Sequence, residues 1–223
     1  MTGVYEYIAT HPDQLMKWVV DHLTISFIAM GIAALIGVSL GVVTAGENRR
    51  RLAEIVLYLA EMMMTVPSMA LFGLFMLFLG FVGLPAIGLL PAIVTLVIYG
   101  QLPILRNTYT ALQEVDSGMV EAGKAMGMSA WQLLIRIRLP LAIPVIMAGL
   151  RNAMILIIGI AAIAALIGSG GLGVPIFRGL RNARMDLIVI GGVGVSILAL
   201  IVDGGMAFVE KKLIPRELRE NDQ

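Results

Sequence analysis

Long runs without a single charge alternate with short polar stretches along this chain. Residues 24–46 carry no Asp, Glu, Lys or Arg, and the same holds for 62–105, 152–177 and 187–202. A helix crosses the hydrocarbon core of a bilayer with about 20 apolar residues. The run 52–105 is too long for one crossing, since it would reach about 80 Å as a single helix. Gly80, Gly83, Pro85 and Gly88 supply a turn inside it. The pattern therefore predicts five membrane helices, near 23–44, 55–79, 89–106, 141–167 and 187–208. Small residues at Gly31, Ala33, Ala34, Gly37 and Gly41 punctuate the first, as suits close helix contact in lipid.

Composition points the same way. Hydrophobic residues make up 59% and charged ones 14%, with mean hydropathy +0.93. That leaves too little polar surface to cover a soluble domain. The expectation is an all-α integral membrane protein: a segment 1–22 outside, a membrane domain 23–210 and a tail 211–223. Placing the "ENRRR" loop at 47–51 inside also puts Arg106, Lys124, Arg136, Arg138, Arg151, Lys211, Lys212, Arg216 and Arg219 at inner positions. The excess of cations inside then sets the orientation, with the N-terminus outside and the C-terminus inside. Lys17, Arg178, Arg181 and Arg184 fall outside.

No basic start and no small-residue cleavage site precede the first span, so the N-terminal segment reads as retained. "EYIATHPDQLMKWVVDHL" reads either as a short amphipathic helix on the outer face, anchored by Tyr7 and Trp18, or as an extension of the first span. The net charge of +1 leaves no electrostatic footprint for nucleic acid, and the absence of cysteine removes thiolate chemistry.

The polar segment 112–140 lies inside on this topology. Asp116 or Ser117 can cap a helix reaching about Met126, Gly127 can end it, and Ser129 can cap a second helix. On the second, Trp131, Leu134, Ile135 and Arg138 recur at helical spacing. The result is a helix–turn–helix with a polar edge at Glu121 and Lys124 and a notch of small residues at Ala122, Gly123 and Gly127. From the residues alone it is either a docking surface or an ordinary amphipathic loop.

The segment matches the pattern E-A-A-x3-G-x9-I-x-L-P, with Glu121, Ala122, Gly123, Gly127, Ile137, Leu139 and Pro140 in the fixed places. The one departure is Gly123 in place of alanine. This resembles the signature of bacterial ABC importer permeases. "TVPSMALFGL" at 65–74, "LPILRNTY" at 102–109, "LPLAIPVIMAGLRNA" at 139–153 and "LIGSGGLGVPIFRGL" at 166–180 resemble the osmoprotectant branch, which imports glycine betaine, carnitine or choline. The resemblance implies a pair of permease subunits in the bacterial cytoplasmic membrane. It also implies ATPase subunits that hold ATP and Mg, and a substrate-binding protein on the outer side. Glu121, Ala122, Gly123, Lys124, Gly127 and Met128 would form a coupling helix seated in the ATPase, and this chain would bind no cofactor and catalyse no reaction. Import of another small nutrient, such as methionine or another amino acid, and a stand-alone secondary carrier are the alternatives.

Other features compete for a role. "GSGGLG" at 168–173 fits G-x-G-x-x-G, but an apolar helix precedes it and Pro175 follows, so it reads as a flexible outer turn, part of an outer gate. His11 and His22 lack further ligands for a metal. Glu61, Arg106, Arg151 and Asp203 lie in or near spans. Arg151 is expected to pair with Glu61 or Asp203 and brace an inner gate, against the alternative of interfacial snorkelling. Pro67, between Thr65 and Ser68, kinks the second span and offers a lining for the translocation path. Only two tryptophans, Trp18 and Trp131, both placed outside the spans, are present to build an aromatic cage for a quaternary ammonium. Selection is therefore expected in the binding protein, with Arg178, Arg181 and Arg184 as its docking patch.

Overall fold

A computed structural model describes residues 2–46 and 48–213. Among them the order is α1 (Thr2–Thr10), α2 (Pro12–Thr44), α3 (Arg50–Thr65), α4 (Ser68–Phe81), α5 (Leu89–Gln113), α6 (Ser117–Ala125), α7 (Ala130–Leu133), α8 (Leu139–Ala164), α9 (Gly173–Arg181) and α10 (Met185–Leu213). Four helical stretches are long and apolar enough to cross a membrane: α2, α5, the run Ala130–Ile167 and α10. The pair α3 and α4 makes a fifth if it counts as one bent span, with 102° between its arms. Of the 211–223 tail, residues 211–213 continue α10; the remainder, with Arg216 and Arg219, lies outside the described residues.

The centre is a three-helix layer of α2, α5 and α8. Ile25, Ala29 and Ala33 of α2 meet Leu96 and Ile104 of α5 and Ala153, Met154, Ile157 and Ala161 of α8, all with almost no exposure. Small residues let the backbones approach, which is the main source of helix association where the solvent is itself apolar. A Cβ added to Gly37 would meet Ile104 at 2.8 Å, and one at Gly41 would meet Thr108 at 2.6 Å. The Gln113 amide donates to the Ala45 carbonyl at 3.1 Å. These contacts hold a constant offset along both helices, so α2 and α5 run parallel. Gly149 of α8 packs on Asn107 and Gly100 of α5 faces Ile157, so α8 runs antiparallel to both.

Two sequence expectations meet a different structure here. The N-terminal segment is both of its readings at once: α1 is a separate short helix, and Pro12 starts a helix that enters the first span without a break at 22. The second elbow helix and the fourth span are also one rod, α7 joined to α8 through a π-helical turn at Leu134–Arg138. Pro140 has no N–H to offer the previous turn. The wider turn re-pairs the ladder, with Leu139 N–H donating to the Leu134 carbonyl.

Outward faces carry large apolar side chains, among them Leu35, Leu77, Phe81 and Leu200, as expected where the surrounding medium is lipid. Gly41→Val should overpack the α2–α5 seam and cost about 1–3 kcal/mol, read as a lower unfolding temperature in detergent. Gly31→Ala, where an added Cβ meets nothing within 4 Å, should leave it unchanged.

Candidate functional site

The polar elbow is built from local capping. The Asp116 carboxylate accepts from Met119 N–H at 2.9 Å and opens α6. Gly127, at φ 79°, reverses the chain in the left-handed region that glycine enters without strain. Behind it, Met128 N–H donates to the Gly123 carbonyl at 3.1 Å. Ser129 and Gln132 then bond reciprocally, at 2.8 and 3.3 Å, and open α7.

The elbow differs from expectation at its notch. Gly123 is buried, and a Cβ there would meet Leu133 at 2.6 Å and Ile137 at 2.9 Å. Its small size therefore serves packing between the two arms of the elbow, not the approach of an outside backbone. The atoms it would meet are the ends of flexible side chains, which explains why alanine also suits this place. Glu121, Ala122, Lys124 and Gly127 are exposed and Met128 is half-buried. The exposed face adds Met119, Met126 and Trp131, the last two at 70% and 68% exposure. A charged rim around exposed methionine and tryptophan is a surface suited to docking.

A second cluster joins α8 to α10. The Arg151 guanidinium donates to both Asp203 oxygens, at 2.8 and 2.9 Å, and to Glu210 at 2.9 Å. The expected partner Asp203 is present, but Glu61 is not: Glu61 pairs with Arg106, across α3 and α5. Glu210 is an addition. Its spacing of seven from Asp203 puts both acids on one face of α10, a signal the sequence carries.

The third element is the bend. Val66 and Pro67 are extended, at ψ 128° and 133°, and separate α3 from α4. The Val66 carbonyl, freed from the helix ladder, accepts from the Tyr99 hydroxyl of α5. Thr65 hydroxyl donates to the Met62 carbonyl at 2.7 Å, and Ser68 begins the next helix. Tyr99 is the residue that sequence reasoning missed, because nothing local marks a hydroxyl 33 residues away as the acceptor's partner.

At the end of the bundle where α2 begins, the glycine turn is clamped where a flexible turn was expected. His22 is fully buried. Its Nε2 faces the Ile158 carbonyl at 3.0 Å, and its Nδ1 accepts from Leu172 N–H at 3.2 Å. A Cβ on Gly171 would lie 2.9 Å from that ring, and one on Gly173 would lie 1.8 Å from the Ala162 carbonyl oxygen. Both imidazole nitrogens are thus used structurally.

Tyr7 and Trp18 are buried, stacked on each other with centroids 6.3 Å apart, so neither ring is exposed to serve as the expected anchor. Trp18 belongs to the same unbroken helix as the first span. Arg178 lies over the Trp18 ring, and Arg184 lies over Tyr7 while pairing with Asp186. Among the described residues Arg181 reaches only its own helix, at the Phe177 carbonyl. Among the described residues no group of three or more metal-ligating side chains forms.

Arg151→Ala would leave two carboxylates facing one another. With the three side chains about one-fifth to one-third exposed, the expected destabilisation is about 2–3 kcal/mol, less than for a fully buried pair. Thermal unfolding in detergent should show it, and a triple replacement by Met, Leu and Gln should recover most of it.

Residues 37–215 match the family described as binding-protein-dependent transport system inner membrane component. The chain is 39% identical over 219 residues to the glycine betaine/carnitine/choline transport system permease protein OpuCB of Bacillus subtilis, covering 98% of this chain and 97% of that one. It is 37% identical to the osmoprotectant import permease protein OsmW of Salmonella typhimurium, covering 96% and 98%. It is 37% identical to a carnitine transport permease protein of Listeria monocytogenes, covering 99% and 97%. Among solved structures, an inward-facing form of the MetNI methionine ABC transporter aligns with TM-score 0.80 at 23% identity, covering 92% of this chain and 100% of that one. An amino acid ABC transporter aligns with TM-score 0.76 at 18% identity, covering 92% and 96%. At these identities the two structures speak for the fold alone.

Proposed function

Because this chain belongs to the binding-protein-dependent transport system inner membrane components, we propose that it is the permease subunit of an ATP-driven importer for small osmoprotectants of the glycine betaine, carnitine and choline type. The observation that carries the substrate class is near-full-length similarity to permeases named for those solutes. The protein is a multi-pass inner-membrane permease and performs no ATP hydrolysis itself; that step belongs to a separate ATPase subunit. An amino-acid substrate has weaker support, since the amino-acid transporters resemble this chain in fold alone.

The bent pair α3–α4 is one crossing. Because α2 and α5 are parallel, the chain must return between them. Arg50, at the start of α3, lies beside Tyr109 and Gln113 at the end of α5. Gly88, just before α5, donates its N–H to the Ile167 carbonyl at the far end of α8. Five crossings put α1 and the end of α10 on opposite sides. The elbow is then on the same side as the 47–51 loop, which the excess of cations places in the cytoplasm.

The elbow is the coupling helix, and the pair of ATPases closes on ATP and Mg. Its exposed Ala122, Lys124, Met126 and Trp131 seat in the ATPase, while Gly123 and Gly127 shape it. Because α7 and α8 are one rod, displacement of the elbow reaches the spans directly. The Arg151–Asp203–Glu210 cluster and the Val66–Pro67 bend are the parts of the path that rearrange between inward and outward states, a population shift driven by differential affinity. With Trp18 buried under Arg178 and Trp131 on the elbow, neither is placed to cage a quaternary ammonium within the spans. Selection therefore falls to an external binding protein. Of the outer arginines, Arg181 is the one whose charge is least engaged for docking it.

Gly127→Val places a β-branched residue at positive φ, a strain of about 1–2 kcal/mol or more. In reconstituted complexes it should cut solute uptake by about tenfold or more while subunits still co-purify. Uptake at the parent rate would overturn the coupling role. Single cysteines at Thr65 and Ser68 should react with a water-soluble thiol reagent in one nucleotide state and be protected in the other. Protection in every state would remove the bend from the path.

A further inference from the structure

The seam between α2, α3 and α5 has an apolar half and a basic half. Toward mid-bundle it holds a groove of about 200 Å³ lined by Ile36 and Leu40 of α2, Val56, Leu59 and Met63 of α3, and Leu105 of α5. One to two turns further along the same helices lies a chamber of about 180 Å³, bordered by Arg49, Arg50, Tyr109, Gln113 and Arg138. Arg49 and Arg138 also border a larger cleft of about 690 Å³ beside the elbow, with Trp131 on its wall. Among the described residues, no carboxylate lines the chamber or the cleft.

The charges in this chamber are unequally matched. Arg50 pairs with Glu54 at 3.0 Å. Among the described residues Arg49 donates to a neutral acceptor alone, the Val43 carbonyl, at 3.3 Å. The Arg138 Nε is buried with no hydrogen-bond partner among the described residues. A buried guanidinium nitrogen left without an acceptor is costly, and two guanidiniums bordering one chamber, with no carboxylate among its described lining residues, suit an anion. The apolar groove beside them is edged by an exposed apolar face of α2, where Ile36 is 41% and Leu40 38% exposed. Its occupant can therefore enter sideways from the bilayer.

We propose that this seam binds an anionic phospholipid of the leaflet on the elbow's side. Arg49 and Arg138 hold the phosphate, and an acyl chain lies along Ile36, Leu40, Leu59 and Met63. A free phosphate would satisfy the guanidiniums but leave the apolar groove unfilled, whereas a phospholipid fills both. Bound there, the lipid would link the end of α2 to Arg138, at the foot of the rod that carries the elbow.

The test is native mass spectrometry of the purified full-length chain in detergent, titrated with phosphatidylglycerol and with phosphatidylcholine of the same acyl chains. The expected result is a preference for phosphatidylglycerol of about tenfold or more. That preference should vanish in the Arg49→Gln/Arg138→Gln double variant and persist in Arg50→Gln, whose charge Glu54 already matches. Leu40→Trp, which fills the groove and leaves the arginines in place, should weaken both lipids. Equal binding of the two lipids, or an unchanged double variant, would overturn the proposal. Displacement of phosphatidylglycerol by inorganic phosphate at equal concentration would assign the chamber to a free anion and would also overturn it. Release of the lipid on adding the ATPase subunit would assign it to a protein contact, with the same consequence. Should the double variant fail to fold, Arg138→Gln and the lipid comparison on the parent chain decide the matter. None of these outcomes depends on which solute is imported.

Discussion

The close parallel packing of α2 against α5 is the constraint on which the rest of the architecture depends. Lipid offers helices no hydrophobic reason to associate, so contact must come from backbones lying near one another. Gly37 and Gly41 leave no room for a side chain where α5 passes. A parallel neighbour requires the chain to run back along the bundle between α2 and α5. The bent α3–α4 pair is that return path. After the elbow, α8 runs antiparallel to both.

Several departures from regular helix are compensated in place, as suits a medium without water. The Val66 carbonyl released at the Pro67 bend is taken by Tyr99. The missing amide of Pro140 is absorbed by the π turn at Leu134–Arg138. The Leu172 N–H, at the edge of the glycine turn, is taken by the His22 ring. Arg151 is surrounded by carboxylates of α10. These are long-range partnerships, and they tie together segments that local rules would leave loose.

That distinction explains what could be read from the chain. Signals within a few residues were legible: the Asp116 cap, the left-handed Gly127, the Ser129 start and the break at Pro67 all lie where their chemistry predicts. Four spans were legible from charge-free runs, and a pair of helices bent by 102° stands where the second was expected. Partners distant in sequence were not. Composition does not distinguish a Tyr7 and Trp18 at a membrane interface from a pair stacked beneath Arg178 and Arg184. It also does not choose between Glu61 and Glu210 as a partner for Arg151, although the spacing of Asp203 and Glu210 held the clue. The notch misled for a related reason. A buried glycine such as Gly123 accommodates its own chain as readily as a foreign one, and only the position of Leu133 decides which.

The unbroken run Ala130–Ile167 has a mechanical corollary. Thirty-eight residues of helix form a shaft about 57 Å long. Tilted about its lower end, such a lever moves its tip by about 1 Å for each degree. A tilt of a few degrees about the elbow end therefore displaces the far end of the rod by about 3–5 Å.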